Sequence, residues 1–219
     1  MKRFFHSELE TMKSHLLLMG EKANEALEQS VRALVERDLD IAEQVIAQDD
    51  VIDELEIRID REATRYLTLR SPVASDLRLL TVAIKASHDL ERVGDEARNI
   101  AKRTRKLMTK GNPVTDLLNI PEMAEMAGSM LQQALQCFIH EDPEQAYAVL
   151  AKDNEVDDLN KANFKGLIKQ AKLEPEEMYD YLDLIFISKS LERIADHATN
   201  LAEEVIYLMT GEETRHQGL

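Results

Sequence analysis

The stretch Ile84-Lys-Ala-Ser87-His-Asp-Leu90-Glu91-Arg92-Val-Gly-Asp95-Glu-Ala97-Arg-Asn99-Ile-Ala101 returns later in the chain. The second copy reads Ile185-Phe-Ile-Ser188-Lys-Ser-Leu191-Glu192-Arg193-Ile-Ala-Asp196-His-Ala198-Thr-Asn200-Leu-Ala202. The two strings align without a gap at a shift of 101 (192 − 91), and nine of the eighteen residues are identical. Apolar matches could arise from helical periodicity alone. Shared Ser, Glu, Arg, Asp and Asn need a separate cause, and duplication supplies it. The shared polar residues are therefore the first candidates for function.

An upstream segment repeats as well. Gln29 to Glu56 aligns with Gln133 to Asn160 at a shift of 104 (133 − 29). Asp38 falls on Asp142, Asp49 on Asp153, Asp53 on Asp157 and Leu55 on Leu159. The difference between the two shifts has to be absorbed around Thr68–Ser75 and its counterpart near Leu173, where a loop tolerates it.

The 219 residues are 44% hydrophobic and only 5% aromatic, with no Trp. That composition suits helices packed around an aliphatic core. A net charge of −15 argues against nucleic acid or an anionic membrane as the main partner. The single Cys137 excludes an internal disulfide, and its alignment with Ala33 makes it a small core filler. The apolar run Leu16–Met19 is too short for a signal core or a membrane span. A cytoplasmic protein is expected, reaching membranes only through partners.

The prolines sit at expected element starts or in a linker, and Asp142-Pro143 reads as an N-cap followed by proline at the first helical position. Apolar spacing at i, i+3, i+4 and i+7 predicts six helices, at about 5–36, 39–68, 73–109, 121–140, 143–171 and 175–209. The expected fold is all-α, a tandem repeat of two three-helix bundles with pseudo-two-fold symmetry. The first repeat spans residues 1–110 and the second 119–211. The polar tail from Gly211 is expected to fray.

Residues four apart share a helix face, so Ser87, Glu91, Asp95 and Asn99 form one polar stripe and Ser188, Glu192, Asp196 and Asn200 another. Like charges at this spacing destabilise a helix by about 0.2–0.5 kcal/mol, which favours a compensating cation. Asp49 with Asp53, and Asp153 with Asp157, add two more pairs on the preceding helices. With 42 acidic residues, on the order of eight such pairs arise by chance, and most acidic faces are simply solvated. Four pairs at equivalent positions in two repeats point instead to a site for metal: Asp49, Asp53, Glu91 and Asp95, and Asp153, Asp157, Glu192 and Asp196. Solvated surface, or pairing with Arg92 and Arg193, are the alternatives.

An all-oxygen set suits a hard cation, Mg, Mn, Ca or Fe. Zinc is disfavoured because no His or Cys is shared by the copies. His88 and His197 are each replaced in the other copy, by Lys189 and Glu96, and read as surface residues. Glu213-Thr-Arg-His216 is a coincidental Glu-x-x-His in the tail. Gly94, aligned with Ala195, reads as a point of close helix approach. No nucleophile–base pair, phosphate loop or CxxC is evident, so catalytic and organic-cofactor roles are assigned to no residue.

With these strings in view, the chain resembles the PhoU family of regulators of bacterial phosphate uptake. The resemblance rests on Asp89-Leu-Glu-Arg-Val-Gly-Asp95 and Ser190-Leu-Glu-Arg-Ile-Ala-Asp196, on Leu69-Arg-Ser-Pro72-Val-Ala-Ser-Asp76-Leu-Arg78, and on the Asp-x-x-x-Asp strings. The second copy departs from it, keeping only Leu173-Glu-Pro175 of the Arg-x-Pro segment. The resemblance implies a non-enzymatic, metal-binding adaptor that restrains the phosphate-starvation response. Its implied partners are the ATPase subunit of a phosphate ABC transporter, a sensor histidine kinase and a second copy of the chain as a homodimer, with no nucleic acid. A metal-dependent enzyme or metal buffer on the same bundle, or a purely structural interaction module, are the alternatives.

Overall fold

Helix-ending turns set the layout, and the same device serves both halves. Arg37 and Glu141 both adopt left-handed backbone (φ 58° and 54°) and end the first helix of their repeat. The next residue then works twice. Asp38 N–H bonds back to Ala33 O (3.0 Å) while its Oδ1 accepts from Ile41 N (3.1 Å). Asp142 N–H likewise bonds to Cys137 O (3.1 Å) while Oδ1 accepts from Glu144 N (3.0 Å) and Gln145 N (3.1 Å). One aspartate thus closes a helix with its amide and opens the next with its carboxylate.

The computed structural model describes residues 2–109 and 114–212, with side chains from Ser7 onward. The helices are α1 (Lys2–Glu36), α2 (Leu39–Gln48), α3 (Asp50–Arg70) and α4 (Ala74–Met108) in the first half. In the second they are α5 (Ile120–His140), α6 (Pro143–Leu150), α7 (Asp153–Leu173) and α8 (Met178–Thr210), with a 3₁₀ turn at Pro175–Glu177 before α8. No strand occurs among the described residues. The Glu213–His216 string and most of the tail lie outside them.

The architecture is the expected all-α repeat of six helical rods, but the second rod of each half is jointed. At the first joint, Ile52 N bonds to Asp49 O (3.0 Å). At the second, Lys152 N bonds to Val149 O (3.1 Å). These i→i+3 bonds tighten the ladder locally and interrupt the regular helix. The apolar spacing runs on across both joints and does not betray them. The length difference between the repeats falls where expected, between α3 and α4 and between α7 and α8.

One continuous core links the halves, drawing Met12, Leu16 and Met19 from α1, Leu90 and Ile100 from α4, Met123 and Leu131 from α5, and Leu191 and Val205 from α8. Several methionines fill this core, as does Cys137; its repeat partner Ala33 is equally buried, in a small cluster beneath α2.

The third rods, α4 and α8, meet along the seam between the halves and run antiparallel. From Lys85 to Arg103 along α4, the partners on α8 fall back from Glu204 (3.3 Å) through Asn200 on Asp89 (3.1 Å) and Arg193 on Glu96 (2.9 Å) to Asp183 (2.9 Å). Arg103 also covers the Phe186 ring at 4.1 Å. Since Phe186 is the repeat equivalent of Lys85 and Arg103 that of Glu204, the two ends of the seam are related by the pseudo-two-fold axis.

Candidate metal centre

At Gly94 on α4, the missing β-carbon leaves room for the Ile52 side chain of α3. A β-carbon there would stand 2.8 Å from Ile52 Cδ1, inside van der Waals contact. Close approach sets Asp49, at the joint, and Asp53 and Glu56, on α3, beside His88, Glu91 and Asp95 on α4. A cleft of about 270 Å³ opens beside the joint, lined among others by Lys22, Asp49 and Gly94.

In the first half, Asp49 is buried and Asp53, Glu56, Glu91 and Asp95 are half-buried. Arg98 bridges two of them, contacting Asp49 Oδ2 and donating to Asp95 Oδ1 (2.7 Å). Burial raises the Asp49 carboxyl above the usual range; Arg98 opposes this, while Asp53 and Asp95 add to it. Burial also raises Glu91, with Asp95 and Glu56 pushing the same way and Arg92 against. Glu91 Oε2 is shielded from solvent with no hydrogen-bond partner, and Arg92 Nε stands 3.5 Å away.

In the second half, burial raises Asp153, aided by Asp157 and Glu192. Asp196 is pushed up to about 6 by burial and then by Glu192 and Asp153, with only Lys189 in opposition. These four carboxylates therefore lie within each other's electrostatic reach. Lys189 Nζ sits 2.5 Å from Glu192 Oε1, while Glu192 Oε2 is enclosed without a hydrogen-bond partner. Lys161 Nζ stands 3.8 Å from Asp157.

Neither quartet read from the sequence draws three ligand atoms into one tight group. Among the described residues that is done by Glu56, His88 and Glu91, whose ligand atoms all lie within 4.8 Å of one another. His88 is exposed as expected, yet its Nδ1 is 3.3 Å from Glu56 Oε1. His197 departs from the surface reading: it is half-buried in the seam, with Nδ1 2.9 Å from Asp89 Oδ1. Of the arginines expected to pair with the stripes, Arg92 does so, with Nε 3.5 Å from Glu91 Oε2 and Nη1 4.0 Å from Asp95 Oδ2; Arg98 joins it at the first stripe, and Arg193 reaches Glu96 instead (2.9 Å). Glu56 and Arg98 escaped the sequence reading because their repeat equivalents are Asn160 and Thr199.

The family model of the PhoU domain matches the chain twice, over residues 16–104 and 120–205. The chain belongs to the PhoU family. The phosphate-specific transport system accessory protein PhoU homolog of Pseudomonas aeruginosa is 39% identical over 215 residues, covering 98% of this chain and 89% of that one. The homolog from Rhizobium meliloti is 35% identical over 207 residues, covering 94% and 87%. The crystal structure of PhoU from P. aeruginosa superposes with a TM-score of 0.92 at 38% identity, over 95% of this chain and all of that one. A phosphate transport system regulatory protein PhoU from Streptococcus pneumoniae gives 0.87 at 29% identity, over 95% and 98%. Each PhoU match contains one complete carboxylate stripe, so the stripes belong to the repeated unit itself.

Proposed function

We propose that this chain is an accessory regulator of phosphate uptake, a non-enzymatic cytoplasmic adaptor that holds back the phosphate-starvation response when phosphate is plentiful. The observation that carries this reading is the end-to-end match to phosphate-specific transport system accessory proteins, in sequence and in fold. The adaptor would link the ATPase subunit of a phosphate ABC transporter to a sensor histidine kinase, as a homodimer. No described helix is long and apolar enough to cross a membrane, so membrane contact runs through the partners.

The stripes hold hard cations in this reading. Asp49, Asp53, Glu91 and Asp95 would serve one site, and Asp153, Asp157, Glu192 and Asp196 the other. The donor chemistry fits, because clustered carboxylates in partial burial oppose one another's ionisation, and Glu91 and Glu192 each keep an enclosed oxygen without a hydrogen bond. A bound cation would supply the positive charge that lets the carboxylates stay ionised together. The residues themselves would hold that charge on the faces of α4 and α8 that carry the stripes.

Deleting the gene should leave phosphate-starvation genes expressed in phosphate-rich medium. A variant carrying Glu91→Gln, Asp95→Asn, Glu192→Gln and Asp196→Asn should fold yet fail to restore repression or to co-purify with the transporter ATPase. A soluble quadruple variant that represses normally would remove the stripes from the mechanism. Normal repression in the deletion strain would remove the regulatory reading altogether.

A further inference from the structure

The two halves differ at the positions that flank their shared Glu-x-x-x-Asp string. In the first, His88 precedes Glu91 by three residues on one face of α4, and Glu56 approaches from α3. In the second, the equivalents are Lys189 and Asn160. We propose that Glu56, His88 and Glu91 form a mixed nitrogen–oxygen site for one divalent transition ion of the Zn²⁺ or Co²⁺ class, present in the first half only. The inference rests on the metal-binding reading above, shares Glu91 with the stripe, and adds ligands and a metal class to it.

Three ligand atoms within 4.8 Å need only small rotamer shifts to close on an ion. The 3.3 Å between His88 Nδ1 and Glu56 Oε1 is already near the spacing of two ligands on a tetrahedral ion with metal–ligand bonds of about 2.0–2.2 Å. Glu91 Oε2 is an enclosed oxygen with no hydrogen-bond partner; its nearest cation, Arg92 Nε, stands 3.5 Å away on a half-exposed side chain that an entering ion can displace. His88 is exposed, leaving a route for the ion and a place for water as a fourth ligand. Arg98 is engaged at the other end of the stripe, with Asp49 and Asp95. A neutral imidazole favours borderline transition ions over Mg²⁺ or Ca²⁺.

The second half is closed to the same chemistry. The Lys189 ammonium, 2.5 Å from Glu192 Oε1, stands where the first half offers a ligand. Asn160 Oδ1 is turned inward to accept from Ser188 Oγ (2.9 Å).

Untagged, chelator-treated full-length chain titrated with Co²⁺ alone tests the proposal, by calorimetry and by the ligand-field absorption of the ion. One Co²⁺ per chain should bind with a spectrum that includes nitrogen ligation. His88→Ala and Glu56→Gln should each weaken binding by more than about tenfold, the lower bound for losing groups that merely support a ligand. His88 is exposed, so the variant should fold, which circular dichroism checks. Asn160→Glu with Lys189→His should create a second Co²⁺ site with a matching spectrum. An unchanged affinity and spectrum in His88→Ala, or no Co²⁺ binding by the unaltered chain, overturns the proposal. If Mn²⁺ still binds the unaltered chain and is lost in the quadruple stripe variant, that failure leaves the stripe reading standing. Conversely, Co²⁺ binding that depends on His88 in a chain with no regulatory role would sustain this site alone.

Discussion

Ile52 Cδ1 occupies the space beside Gly94 that a β-carbon would need, 2.8 Å from its position. The repeat equivalents are Val156 and Ala195, both fully buried: a smaller residue on the second rod answers a larger one on the third. Gly94→Ala should gain up to about 1 kcal/mol in helix propensity but lose about 1–3 kcal/mol to overpacking. A net loss of about 1 kcal/mol is expected in urea unfolding. Ile52→Val alone should cost about 0.5–1.5 kcal/mol by leaving a void. Together the two substitutions should approach the parent stability, reproducing the pairing of the second half. Simple additivity in this double-mutant cycle would mean the two positions do not share volume.

Asp183, on α8, is buried between Arg103 Nη1 (2.9 Å) and Lys106 Nζ (2.8 Å) of α4. Asp183→Ala should cost about 3 kcal/mol, the low end for breaking a buried pair, since both cations keep part of their contact with water. Thermal melts should show the loss. A change under about 0.5 kcal/mol would assign seam stability to apolar packing alone.

Metal-free protein should become more stable as the pH falls. The folded Asp196 carboxyl sits near 6 against an ordinary value of 3.8, and Glu91, Asp49 and Asp153 are raised too. A raised carboxyl penalises the folded state once ionised, so the penalty is full above about 6 and recedes as pH falls toward 4. Asp196 is exposed by area, so solvent screens part of the effect. The melting temperature should therefore rise between pH 7.5 and 5, by less in Asp196→Asn, and added Mn²⁺ should flatten the profile. A profile identical in Asp196→Asn would locate the dependence elsewhere.

Repetition made the fold legible. Asp142 announced a helix start, Gly94 a close approach, and the stripes followed from residues held in common. The joints were hidden because a turn tightened through i→i+3 bonds leaves the apolar spacing intact. The site was only half legible for a related reason. Weighing only what the copies share discards Glu56, His88, Arg98 and Lys189, which differ between them, although these residues set the charge around each stripe. His197 was misread because its partner, Asp89, comes from the other half across the seam.

That seam also fixes which halves belong together. Were two first halves to pair as α4 and α8 do, Lys85 would confront Arg103 of its twin. Two second halves would set Glu204 against the Phe186 ring, with no cation at either end. Only one of each gives Lys85 its glutamate and Arg103 its aspartate and aromatic face. The duplicated units have ceased to be interchangeable. Each has become a dedicated mate for the other, and the fused chain is the smallest species in which both are satisfied.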